Sequence, residues 1–156
     1  MRSQAGAGLA PLTGLAAALS NRMDDAIREL CEPLSDDVAV VATGGYGQGL
    51  LAPHSDIDLL MLANRRLAAS EVRPLLLPLW DANVRVGHAV RTPKETVRLA
   101  GSDVPTLAAH LTMRHLHGPT DVVDETVRRL DKAVAPRVRR VVDVLVEVNV
   151  GGEESK

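Results

Sequence analysis

The stretch Val41-Ala42-Thr43-Gly44-Gly45-Tyr46-Gly47-Gln48-Gly49-Leu50-Leu51-Ala52-Pro53-His54-Ser55-Asp56-Ile57-Asp58-Leu59 decides how this chain is read. Ten residues part a glycine pair, Gly44-Gly45, from a carboxylate pair, Asp56 and Asp58. An apolar run from Val38 to Thr43 leads in, and Leu59 to Leu62 leads out. Glycines let backbone N–H groups approach phosphate oxygens with no Cβ in the way. Aspartates at i and i+2 on a strand point to one face, where both can hold a hard cation through oxygen. The layout suits a grip on a nucleoside triphosphate and its magnesium ions.

Outward from that stretch, the chain alternates helix and strand signals. Upstream, Leu15, Leu19, Met23, Ile27 and Leu30 recur at helical spacing, predicting an amphipathic helix that ends before Pro33. Residues 1–14 are small and breaker-rich and are read as a disordered N-terminus. Val38 to Thr43 is a β-branched run opening into glycines, hence a buried strand, and Asp56 to Leu62 is a second strand. Glu71 to Asp81 reads as a helix, with Pro78 expected to kink it. Val84 to Thr92 alternates as a third strand, with Val84, Val86, His88 and Val90 on one face and Arg85, Gly87, Ala89 and Arg91 on the other. Thr92-Pro93-Lys94-Glu95 has the form of a capping box. A helix is expected from Pro105 to His115, stopped by Gly118-Pro119. Another spans Val122 to Val134, is interrupted at Pro136, and continues over Val138 to Val148 as helix or strand. Residues 151–156 read as a flexible tail. The sum is an α/β (α+β) fold, a small mixed sheet covered by helices, with 15–150 as one domain and the site at the sheet's edge.

Bulk properties narrow the classes. At 156 residues the chain has room for one domain with a real core. It carries one Trp, one Tyr and no Phe, so the core must be Leu, Val and Ala, with Trp80 expected as its one large anchor. A net charge of −2 with interspersed signs argues against a nucleic-acid partner. Arg65-Arg66 and the run from Arg137 to Arg140 read as solvated helix surface. Cys31 stands alone and is read as a small buried residue at a helix end. No apolar stretch of about 18 residues offers a membrane span, and the N-terminus is too weakly apolar for a signal peptide, so a cytoplasmic location is expected. His110, His115 and His117 do not converge on one helix face, which argues against a metal site there.

The Gly-Gly turn and the Asp-x-Asp pair flanked by apolar residues resemble the signature of the polymerase-β-like nucleotidyltransferase superfamily. Within it, the chain resembles the N-terminal catalytic domain of the bacterial protein-PII uridylyltransferases. The resemblance rests on Gly-Gly-Tyr-Gly-x-Gly at 44–49, Pro-x-Ser-Asp-Ile-Asp-Leu-Leu at 53–60, Leu79-Trp80-Asp81, Val86-Gly87-His88-Ala89-Val90-Arg91-Thr92 and the weaker Leu107 to Gly118 segment. It covers residues 38–120 or so. It implies UMP transfer from UTP to a hydroxyl of a PII-like protein. Asp56 and Asp58 would hold Mg²⁺, two ions by the family's pattern, Gly44, Gly45 and Ser55 would line the phosphates, and Arg91 would reach the triphosphate or pair with Asp81.

The chain departs from the family in two ways. Gln48 and Leu50 replace the Arg and Glu of the family's Gly-Tyr-Gly-Arg-Gly-Glu-Leu loop, losing a charged fork and its brace. The metal phosphohydrolase and ligand-sensing regions of the full architecture are not found in these residues, so uridylyl removal and glutamine sensing are expected to be absent. A third metal-binding carboxylate is also unassigned: the third strand offers His88 and Arg91 but no acid, with Asp81 and Glu95 near its ends. Two other readings therefore stay open, a degenerate non-catalytic module that binds a nucleotide or a partner, and a stand-alone minimal nucleotidyltransferase of the toxin–antitoxin kind. An apolar face of Val138, Val141, Val142, Leu145 and Val146 would favour a homodimer.

Overall fold

Four short strands form one mixed sheet in the order β3-β2-β1-β4. The computed structural model describes the backbone of residues 9–150 and the side chains of residues 14–136. In chain order the elements are α1 (Leu9–Cys31), β1 (Ala39–Thr43), α2 (Gly44–Gly47), β2 (Ile57–Leu62), α3 (Ala69–Asp81), β3 (Val86–Arg91), α4 (Pro93–Ala100), α5 (Val104–His110), β4 (Arg114–His117) and α6 (Thr120–Val150). β1 pairs antiparallel with β2 and β4, while β2 pairs parallel with β3. A parallel pair needs a crossover, and α3 makes it.

Because side chains alternate along a strand, the sheet has two apolar faces. Val40, Ala42, Ile57, Leu59 and Met61 pack with Ile27 and Cys31 of α1 and with Val72, Leu75, Leu76 and Leu79 of α3. Ala39, Val41, Leu60 and Leu62 pack on the other face with Val122 and Val123 of α6. On this second face the phase of the strands carries Thr43 and Asp58 to the end of the sheet. That end is where the site forms.

Several expectations need correction, each for a physical reason. Helix α1 begins at Leu9, six residues before Leu15; Pro11 falls in its first turn, where a missing N–H costs nothing. Residues 1–8 and 151–156 lie outside the described residues. Helix α3 is unbroken over Ala69–Asp81, with Pro74 and Pro78 inside it. Both prolines lie four residues apart on the exposed face, so water can serve the carbonyls they leave unbonded. The same holds for exposed Pro136 within α6, which is one helix and not two segments. The helix expected to reach His115 stops at His110. Residues Arg114–His117 instead form β4, pairing Val41 with His115 and seating Leu116 in the core. The free edge of β1 overrides local helix propensity there.

Trp80 is not the core anchor. It is 44% exposed and meets His88 edge-on, with ring centroids 5.7 Å apart. Tyr46 is the large buried aromatic instead. Arg65 stands in the β2–α3 loop, not on a helix, and bridges Asp37 and Glu71. The capping box at α4 forms as expected: Glu95 N–H donates to Thr92 Oγ1 (3.3 Å), and Thr92 N–H donates to Glu95 Oε2 (3.0 Å). Among the described residues no helix is long and apolar enough to cross a membrane. The side chains of Arg137 to Arg140 and of the Val138–Val146 apolar face lie outside those described.

Candidate active site

Strand β1 ends at Thr43, and the chain turns at once into the single helical turn α2. Gly44 takes a left-handed φ of +59°, a conformation that favours glycine. Two buried polar residues of α1 hold this turn and the loop after it. Asp24 accepts a hydrogen bond from the Tyr46 hydroxyl at 2.5 Å and a two-pronged contact from the Arg114 guanidinium of β4. Arg114 also donates to the carbonyls of Tyr46 (3.1 Å) and Gly47 (3.3 Å) and lies over the Tyr46 ring. One turn before Asp24, Ser20 Oγ accepts from Leu51 N–H at 2.8 Å. On the far side of the turn, the Thr112 hydroxyl donates to the Gly44 carbonyl at 3.0 Å. Burial and the Asp24 carboxylate push the Tyr46 hydroxyl well above its usual range, so it stays a donor.

The turn sets Gly44 beside Asp58. In register, Asp58 lies between Thr43 of β1 and Gly87 of β3. A Cβ at Gly44 would stand 3.0 Å from Asp58 Oδ2, and one at Gly87 would land on Oδ1. The carboxylate therefore occupies a slot that exists because neither neighbour has a side chain. Burial, and then the charge of Asp56, raise the Asp58 carboxyl above the usual range. Asp56 is exposed just before β2, with Oδ1 2.9 Å from Arg85 Nε. Paired carboxylates that disfavour each other's charge suit a divalent cation, which Mg²⁺ sites commonly complete with ligand phosphates and water.

A cleft of about 310 Å³ opens beside Asp58, between the second face of the sheet and α5. Thr43, Asp58, Arg91, Thr106 and His110 are among its lining residues. Arg91 shares the face of Asp58, opposite Leu62 in register, and forms no ion pair with Asp81 among the described residues. Gly45 stands exposed with open space about its Cα. Ser55 is not brought into the cleft; it lines a separate depression with Leu19, Met23 and Arg85. His88 lies on the opposite face, against Trp80, in keeping with a structural role. Among the described residues no group of three or more His, Cys, Asp or Glu gathers as a metal site, and Glu95 is engaged in its capping box.

Asp24, Arg114 and Thr112 are not marked by the sequence motifs, and neither is Gly87 as the wall of the Asp58 slot; His110 is read there only as no part of a metal site. One signal was available. Ser20 and Asp24 fall in phase with Ile27 and Cys31, so the apolar stripe of α1 carries two polar residues that must find partners.

A family model described as a nucleotidyltransferase domain matches residues 23–129, from just before Asp24 to beyond Arg114. The chain belongs to the nucleotidyltransferase domain family. It is 46% identical over 103 residues to the bifunctional uridylyltransferase/uridylyl-removing enzyme of Bradyrhizobium diazoefficiens, covering 64% of this chain and 11% of that protein. To the enzyme of the same name from Azospirillum brasilense it is 44% identical over 106 residues, covering 65% and 11%. To that from Bordetella parapertussis it is 38% identical over 121 residues, covering 74% and 14%. The chain thus spans about a tenth of the length of these relatives. A crystal structure of a toxin–antitoxin with AMP-PNP superposes with a TM-score of 0.49 at 19% identity, covering 78% of this nucleotidyltransferase chain and 98% of that one.

Proposed function

We propose that this chain is a metal-dependent nucleotidyltransferase domain that transfers UMP from UTP to a hydroxyl of a PII-like protein. The observation that carries the reading is the Asp58 carboxylate in its slot between Gly44 and Gly87, charge-coupled to Asp56. It sits in a domain 46% identical to part of a uridylyltransferase. Asp56 and Asp58 would hold Mg²⁺, which supplies charge neutralisation to the triphosphate and to departing pyrophosphate. The N–H groups of the Gly44-Gly45 turn approach phosphate oxygens, and Arg91 lends a cation at the far end of the cleft. The acceptor hydroxyl gives up its proton to solvent, its oxygen bonds the α-phosphorus, and the bond to pyrophosphate breaks.

Gln48 and Leu50 both face solvent, and the turn is braced by Asp24, Tyr46 and Arg114. Loss of the family's charged pair at these positions therefore leaves the turn held, which supports an active domain over a degenerate one. The test is transfer of label from α-labelled UTP to PII, with ATP, CTP and GTP in parallel and Asp56→Ala/Asp58→Ala as control. Label that needs magnesium and both aspartates is expected. Triphosphate binding without transfer to any acceptor would favour the binding-module reading.

A further inference from the structure

His110 is an unspent hydrogen-bonding group in the wall of the cleft. The residue is 7% exposed, and Nδ1 lies 2.5 Å from the carbonyl of Thr106, one turn earlier on α5. A carbonyl can only accept, so Nδ1 carries the proton and Nε2 presents a bare lone pair. Nε2 is closed off from solvent and has no partner among the described residues, an arrangement that buried polar atoms rarely tolerate. The same cleft is lined by Asp58 and Arg91. Burial, with the charge of Arg91, lowers the imidazole's pKa against the opposing pull of the Thr106 carbonyl, which disfavours a second donor.

We infer that His110 Nε2 accepts a hydrogen bond from the nucleoside part of the bound triphosphate, making it a specificity-determining residue of this site. The inference rests on the nucleotidyltransferase reading above. The chemistry of the acceptor selects the ligand group. Ionised phosphate oxygens offer no proton, whereas ribose hydroxyls and base N–H groups do. With Asp58 and the glycine turn taking the phosphates, a donor reaching His110 must come from the sugar or the base.

The test pairs a wild-type measurement with two variants. In ¹⁵N-histidine spectra of the intact chain, the Nε2 resonance of His110 is expected to move upfield on adding magnesium UTP and to stay in place with magnesium tripolyphosphate. With 2′-deoxy-UTP, loss of that movement assigns the 2′-hydroxyl as donor, and its retention assigns the base or the 3′-hydroxyl. By calorimetry, His110→Leu should weaken magnesium UTP about tenfold, the scale of a hydrogen bond lost with its desolvated partner left behind. Magnesium tripolyphosphate should bind this variant within about twofold of wild type, and His110→Gln, which keeps an acceptor, should recover most of the loss. UTP that binds wild type without moving the Nε2 resonance overturns this inference alone. So does an equal loss for UTP and tripolyphosphate in His110→Leu. No binding of UTP to wild type overturns the parent reading as well.

Discussion

Gly87 shows how much a single missing Cβ decides. Its partner in register is Asp58, and any side chain would take the place of Oδ1. Gly87→Ala should therefore displace the carboxylate while sparing the sheet, cutting magnesium-dependent transfer by at least about tenfold, the range set by small misplacements of a reacting group. Circular dichroism alongside the transfer assay separates this from unfolding. Arg85 acts in the opposite sense, since its ion pair occupies Asp56. Exposed pairs are worth at most about 1 kcal/mol, so Arg85→Ala should tighten magnesium UTP by about two- to fivefold in calorimetry. Cys31 offers a residue-level test of the core. Burial pushes its thiol up to about 12, so the folded state favours the protonated form. Its contribution to stability is complete below the ordinary thiol pKa of about 8.5 and is lost as pH rises through the folded value. At pH 8 alkylation of Cys31 should follow global unfolding; rapid labelling of the native chain would contradict a buried thiol.

At the scale of elements, helix α1 is the holder of the site. Ser20 and Asp24, one turn apart, tie down the two ends of the segment from Tyr46 to Leu51. Asp24→Asn strips Arg114 of its charge partner in a buried network, which should cost about 2 kcal/mol in urea unfolding and loosen the glycine turn. Arg114→Ala should cost a comparable amount. The double variant should cost less than the sum of the two, because they share one interaction. Strand and helix positions were legible where the pattern was long or strongly branched: β1, β2, β3, α1 and the Thr92 cap all emerge from periodicity and capping chemistry. β4 was not, because Arg114–His117 becomes a strand only by pairing with the open edge of β1. The continuity of a helix through prolines such as Pro136 is illegible for a related reason. Their cost depends on which face they occupy, and the sequence does not display that until packing is known.

For the molecule as a whole, the sheet brings together what the chain keeps apart. Residues 43–44, 58 and 87 meet at one end of β1, β2 and β3, and α5 closes a cleft over them. Asp56, Asp58 and the glycine pair were readable as a unit because their spacing fits one strand–turn–strand. His110 is not legible in the same way, because histidine spacing speaks only to convergence on a metal. Its role as a lone acceptor depends on burial and on Thr106. Among the described residues no third His, Cys, Asp or Glu gathers with Asp56 and Asp58, so under the proposed function the ligand's own phosphates would fill that part of a metal's shell. The most direct measurement is calorimetric binding of UTP to the chain, with and without magnesium, beside Asp58→Asn. The account predicts binding that requires magnesium and falls at least about tenfold in the variant, the cost of removing a charged ligand. Magnesium-independent binding, or equal affinity in Asp58→Asn, would contradict it.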